Sequence, residues 1–197
     1  MKRASNKNEY NQIGISLIEL VMFIVIVSVG VVGILSVMSV TTKASADPMV
    51  RKQALSIAES LLEEIQLQPF TFCDPDDANA ATATSTVIGA TGCATTAEVA
   101  PLGPEVGETR YTLPALPLFD NVNDYHTFSM SPIVDITNSA IPGLGAYTAS
   151  VAITAVGAAL FALPNDDVLQ IDVRVQAGNT DITLTGYRFR YAPRAVP

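Results

Sequence analysis

Apolar residues dominate one stretch of the chain without any period. Between Glu19 and Lys43 lie 23 uncharged residues, mostly Val, Ile, Leu and Met, within a run that begins GISLIELVMFIVIVSVGVVGILSVM. A helix of this composition has no polar face to turn toward water, so it is expected to meet lipid or other apolar helices on every side. At 1.5 Å per residue it spans about 35 Å, enough to cross a hydrocarbon core of ~30 Å. Gly30 and Gly33 lie inside it. Each weakens a helix in water by up to ~1 kcal/mol relative to Ala and marks a place where it could loosen.

The pattern changes over residues 49–67, MVRKQALSIAESLLEEIQL. Val50, Ala54, Ile57, Ala58, Leu61, Leu62 and Ile65 fall on one helical stripe, while Arg51, Lys52, Glu59, Glu63 and Glu64 fall largely off it. That predicts an amphipathic helix lying against a globular domain. Asp47-Pro48 before it suits either an N-cap with a first-turn proline or a kink inside one longer helix, and Pro69 is expected to end the segment.

From about residue 109 the period becomes two. Residues 111–113, 127–136, 147–156, 168–176 and 181–191 read as strands separated by Pro, Gly and Asn clusters, which predicts an antiparallel sheet and an α+β fold. On the last segment the phase slips: Ile182 and Leu184 are even, whereas Tyr187, Phe189 and Tyr191 are odd. A β-bulge at Gly186 would return both sets to one face, pairing Val175 with Ile182 and Leu169 with Phe189 across a loop of residues 177–180. Arg188 and Arg190 would then lie on the polar face near Asp172.

Charge adds direction to this plan. Three of the 11 basic residues, Lys2, Arg3 and Lys7, but only one of the 19 acidic residues, Glu9, precede Gly14, which leaves 8 basic and 18 acidic residues after it. The basic leader predicts a cytoplasmic N-terminus and export of everything after about residue 43. An acidic body of this kind is not expected to bind nucleic acid through bulk charge. Between residues 78 and 97, 13 of 20 positions are Ala or Thr, too small to build a core. Cys73 and Cys93 bracket most of that stretch, and in an exported chain they are expected to form one disulfide worth ~3 kcal/mol. Asp74, Asp76, Asp77 and Asn79 make an oxygen-rich cluster able to hold calcium, but they lack the EF-hand spacing, and a solvated turn is the preferred reading. No cofactor is expected.

The N-terminal residues carry a family resemblance. A short basic leader ending in Gly14, then Ile15-Ser16-Leu17-Ile18-Glu19-Leu20 and an uncharged helix, resembles the class III signal of type IV pilins and type II secretion pseudopilins. The resemblance implies cleavage after Gly14 by a prepilin peptidase, methylation of Ile15 as the first mature residue, and an assembly role for Glu19, the fifth. The family's usual first residue is Phe or Met, and its common proline about 22 residues into the mature chain is replaced here by Ser36. The segment FDNVNDYH, residues 119–126, is similar to one in minor pilins of the mannose-sensitive haemagglutinin type. A division follows: leader 1–14, membrane and filament-core helix 15–42, amphipathic continuation 43–68, disulfide-strapped loop region 69–108 and antiparallel sheet 109–197. In pilin-like folds the two helical segments are one, which favours a kinked continuous helix here.

The implied function is that of a minor pilin or pseudopilin that initiates, primes or decorates a filament. Its implied partners are other pilin subunits through the N-terminal helix, the prepilin peptidase and the inner-membrane assembly platform. It would sit in the inner membrane as a single-pass protein with a periplasm-facing domain, and on the cell surface once assembled. The alternatives are an adhesin or ligand-binding tip module, or a membrane-anchored or secreted protein of unrelated function. A secreted form has Ala44-Ser45-Ala46 in its favour as a cleavage site. An enzyme is not expected: Asp124, His126 and Ser129 are close in sequence but lack any nucleophile-elbow context.

Overall fold

The computed structural model describes residues 14, 16–99, 102–114 and 116–194, with only the backbone given over 40–47. The leader 1–13 and Ile15 lie outside the described residues. The chain divides into two units, Met1–Ala46 and Asp47–Pro197. One helix, α1 (Leu17–Leu67), contributes to both, with Pro48 inside it rather than at its start.

In the first unit the apolar part of α1, Leu17–Ser39, is long enough to cross a membrane, and all of it is exposed. Glu19 stands in the first turn.

The second unit is an α+β layer. Ala54, Ala58, Leu61 and Ile65 of α1 are buried, with Val50, Ile57 and Leu62 packed beside them, which is the stripe read from the periodicity. Their partner is a four-stranded antiparallel sheet in sequential order, β1 (Ser129–Met130), β2 (Thr148–Ala155), β3 (Val168–Ala177) and β4 (Thr180–Phe189). Ala149, Val151 and Ile153 of β2 face the core beside Ile171, Val173 and Val175 of β3. The exchange of water-exposed for buried apolar surface, at roughly 25 cal/mol per Å², holds helix and sheet together.

Three strand expectations need correction. Residues 111–113 form no strand, because their neighbourhood spends its backbone on separate contacts: Thr112 N–H donates to Ile136 O at 2.8 Å and Thr109 N–H to Pro117 O at 3.0 Å. The expected strand over 127–136 shrinks to β1. Pro132 lacks a ladder donor, and the chain then turns on Asp135, whose Oδ1 accepts from the backbone N–H groups of Thr137 and Ser139, both at 2.9 Å.

The bulge at Gly186 is the third. Pairing runs regularly through it, with Val175 opposite Ile182 as expected but Ile171 opposite Gly186 and Val168 opposite Phe189. Ile182, Leu184, Gly186 and Arg188 therefore all face α1, and the slip in apolar phase is real. A Cβ on Gly186 would lie 2.5 Å from Gln66 Nε2 and 2.9 Å from Leu62 Cδ1, so a side chain there would require the ends of these two helix side chains to move aside. Tyr187 and Phe189 point to the other face, where Phe161, from a π-helical turn (Gly157–Phe161), meets them edge-on at 5.5 and 5.0 Å between ring centroids. The β3–β4 turn is shorter than expected, since Ala177 already pairs with Thr180 and Gly178 adopts φ +57°.

Candidate functional site

The described backbone of residues 69–128 contains almost no regular structure, only three isolated bridges and one short 3₁₀ turn (Asn123–Tyr125). Cross-links between side chains do the organising instead. Cys73 and Cys93 form the expected disulfide and are both fully buried. Asp77 completes the strap. Its Oδ1 accepts from Asn79 N–H at 2.8 Å and Ala94 N–H at 2.9 Å, and its Oδ2 from Thr95 N–H at 2.7 Å, Thr96 N–H at 3.0 Å and Thr95 Oγ1 at 3.0 Å. Burial acts to raise its pKa, but the backbone donors outweigh that and hold the carboxyl well below the usual range. Both oxygens are therefore committed to the loop, and Asp77 is not a member of the carboxylate groups described next.

Asp74 and Asp76 do join such groups. Asp74 lies with Glu98 and Glu105, and again with Asp76 and Asp120, while Glu105 lies with Glu108 and Asp124; within each group the carboxylate oxygens come within 4.8 Å of one another. The groups share Asp74 and Glu105, so seven carboxylates form one connected cluster. They arrive from three separate stretches of chain, around 74–76, 98–108 and 120–124. Only Asp74 and Asp76 belong to the sequence-stretch first singled out for its oxygens.

The interior of the cluster is poorly satisfied. Glu98 is 2% exposed, and neither of its carboxylate oxygens has a hydrogen-bond partner among the described residues. Asp124 is fully buried; its Oδ2 accepts from Asp120 N–H at 3.0 Å and Asn121 N–H at 2.8 Å, but its Oδ1 has no partner. The side-chain oxygens of Asn121 and Asn123 are likewise buried and unpartnered. Burial, then repulsion from Asp124 and the other acids, pushes Glu98 up to about 9. Burial also raises Asp120 and Asp124 to about 7, with like charges adding to each, and lifts Asp74, Glu105 and Glu108.

Arginine could neutralise such a cluster, but none of the ion pairs among the described residues does so. Arg190, expected on the polar face, is instead 2% exposed in its side chain; it lies over the Phe70 ring at 4.2 Å, donates to the backbone oxygen of Glu98 at 2.8 Å and pairs with Asp167 at 3.8 Å. Arg188 donates to Gln68 O at 3.0 Å, and Asp172 is bound by Thr185 and Gln170 rather than by either arginine. Arg110 makes a two-point pair with Glu64 of α1, with both contacts at 2.7 Å, and Tyr125 OH also donates to Glu64 at 2.9 Å. None of these long-range partnerships has a sequence signature, since Arg110 and Glu64 are 46 positions apart.

FDNVNDYH forms a wall of this region. Val122 and Tyr125 enter the core, Phe119 and Tyr125 meet edge-on at 5.0 Å, and the acids face the cluster. His126 Nδ1 accepts from Ile153 N–H at 3.0 Å, and Ser129 Oγ donates to Ala149 O at 3.2 Å. Asp124, His126 and Ser129 are thus each engaged elsewhere and make no triad contacts with one another. On another side, an open groove of about 690 Å³ is lined by Met49, Gln53, Ile57, Ile133, Ile136 and Ile141 among others.

At the N-terminal end, Gly14 is exposed and Glu19 lies on an exposed apolar helix, while Ile15 is outside the described residues. No family model, curated protein or solved structure matches the chain.

Proposed function

We propose that this chain is a filament subunit of the type IV pilin and pseudopilin class, assembled through its N-terminal helix. The observation that carries the reading is the character of α1: 23 residues, Leu17–Ser39, apolar and exposed, with one carboxylate, Glu19, in the first turn. A plain membrane anchor has no use for that carboxylate, which costs up to about 2.5–3.5 kcal/mol if drawn to mid-membrane. A bundle of such helices does. The amine left at Ile15 by cleavage after Gly14 is a fitting partner for Glu19 of the adjacent subunit, and the pair would fix the axial register of the filament. The buried stripe of residues 50–65 on an antiparallel sheet supports the same reading by supplying an outer domain on the continuation of the same helix.

Glu19→Ala tests the assignment. Export, cleavage and folding of the outer domain should be unchanged, because none of them uses the pair. Entry into filaments should fall by an order of magnitude or more, since leaving one buried charge unpaired costs about 3–5 kcal/mol. Shearing filaments from cells that lack the native copy, and quantifying the subunit in fibre and membrane fractions, decides it. Wild-type levels of the variant in the fibre would remove Glu19 from assembly.

A further inference from the structure

We propose that the open groove between α1 and the stretch of residues 130–144 binds a fatty acid, with its carboxylate at Lys52 and its chain along the aliphatic walls. The proposal is independent of filament assembly. It stands on the shape of the groove, on polar groups that are already engaged, and on the one charge left over.

The shape selects a chain. Lining residues on α1 run from Met49 to Glu64, which is about 22 Å of helix at 1.5 Å per residue. Spread over that length, 690 Å³ leaves a mean cross-section of about 30 Å². A helix, ~10–12 Å across with its side chains, is too wide for such a section, whereas a single hydrocarbon chain fits it. The walls are aliphatic: Ile57 and Leu61 come from the helix and Met130, Ile133, Ile141 and Leu144 from the other side, with no aromatic ring among the described lining residues. A volume of this size lies in the ordinary range for small-ligand sites, ~300–1,000 Å³.

An extended peptide would need backbone partners, but the carbonyls along the wall are engaged. Ile133 O accepts from Ile141 N–H at 3.1 Å, Ile136 O from Thr112 N–H at 2.8 Å and Ile141 O from Leu144 N–H at 3.2 Å. Side chains narrow the choice further. Gln53 Oε1 accepts from Tyr147 OH at 2.6 Å, and Glu64 is held by Arg110 and Tyr125. Arg110 is thereby neutralised, and its charge also reaches Asp135, so the Glu64 end of the groove is net negative. Lys52 is exposed, stands about 18 Å along the helix from Glu64, and belongs to none of the ion pairs among the described residues. A ligand with an apolar body and one anionic group is drawn to the Lys52 end and repelled from the other. Ser56 and Ser60, at four-residue spacing, continue the polar rim between the two ends. The same helix carries a membrane-length apolar stretch, Leu17–Ser39, which suits a ligand that partitions into lipid.

Photolabelling of the full chain in lipid nanodiscs tests this, with palmitic acid carrying a diazirine on its chain as the probe. Peptides from residues 130–144 should take up label saturably, and unlabelled palmitate should displace it. Leu17–Ser39 should label without saturation and serves as the bilayer reference. Hexadecanol, which has the chain but no charge, should compete about tenfold less well or worse. Lys52→Glu should cut the saturable label by about tenfold or more. Ser60→Phe, at an exposed position on the rim, fills the groove and should abolish the label. Both variants should unfold at the wild-type midpoint, since neither side chain belongs to the core. Ile136→Asp, at an exposed position on the other wall, serves where Ser60→Phe does not fold. Absence of saturable label on residues 130–144, equal competition by hexadecanol, or full labelling of any variant would overturn the proposal. Label that falls with rising protein concentration rather than with palmitate would assign the groove to a second copy of the chain and overturn it likewise.

Discussion

Asp77 organises the loop around it, because its two oxygens take five hydrogen bonds that tie residue 79 to residues 94–96. Those donors are backbone groups that no ladder satisfies, so losing their acceptor leaves several of them stranded. Asp77→Ala should cost about 3 kcal/mol, read as a lower urea midpoint with an unchanged slope. A loss below about 0.5 kcal/mol would mean that solvent replaces the carboxylate readily. Composition singled out Asp77 together with Asp74 and Asp76 for their oxygens; only the fold separates them, by giving Asp77 its donors and leaving the other two to the acidic cluster. Arg190 makes the same point with opposite sign. Alternation assigned it to solvent, yet Phe70 and the backbone oxygen of Glu98 form a site that accepts both its flat face and its charge.

At the scale of elements, the helix stripe and the three long strands follow from periodicity, because each buries one face and the burial rewards a fixed repeat. The failure at Gly186 has a steric cause. Gly186 lies under the side chains of Gln66 and Leu62 of α1, and the strand keeps its register there without a side chain, while the aromatics beyond it pack against Phe161 on the opposite face. Gly186→Ala should therefore destabilise by about 1–3 kcal/mol. Shortening the obstructing side chain by Gln66→Ala in the same chain should recover part of that loss, and a double-mutant cycle measures it. Strict additivity of the two changes would show that the crossing is not the constraint.

For the whole molecule, the first question is whether the N-terminus is processed, and where. The proposed filament-subunit reading predicts a mature chain beginning at Ile15, one methyl heavier than the bare sequence and retaining Leu17–Ser39. Intact mass of the protein recovered from membranes or filaments checks this in one measurement. A chain beginning at Asp47 would instead mark cleavage after Ala46 and a secreted domain. The open groove bounded by Ile57, Ile133 and Ile141 gives the alternative of a ligand-binding tip module its one concrete feature.

Sequence alone determined the apolar helix, the amphipathic stripe from Val50 to Ile65, the strands β2, β3 and β4, and the cysteine pair. Each of these depends on a local repeat, a run length or a pairing with no competitor, so the information lies within a few turns of chain or in a count of two. Tertiary structure decided the rest. The carboxylate cluster joins Asp74 to Glu98, Glu105 and Asp120; Glu64 meets Arg110; Gly186 yields to Gln66 and Leu62. These contacts link positions tens to more than a hundred residues apart, and a periodic pattern tells which face of α1 or β4 is buried but not which distant residue meets it, while in the irregular region the backbone path is set by cross-links and burial.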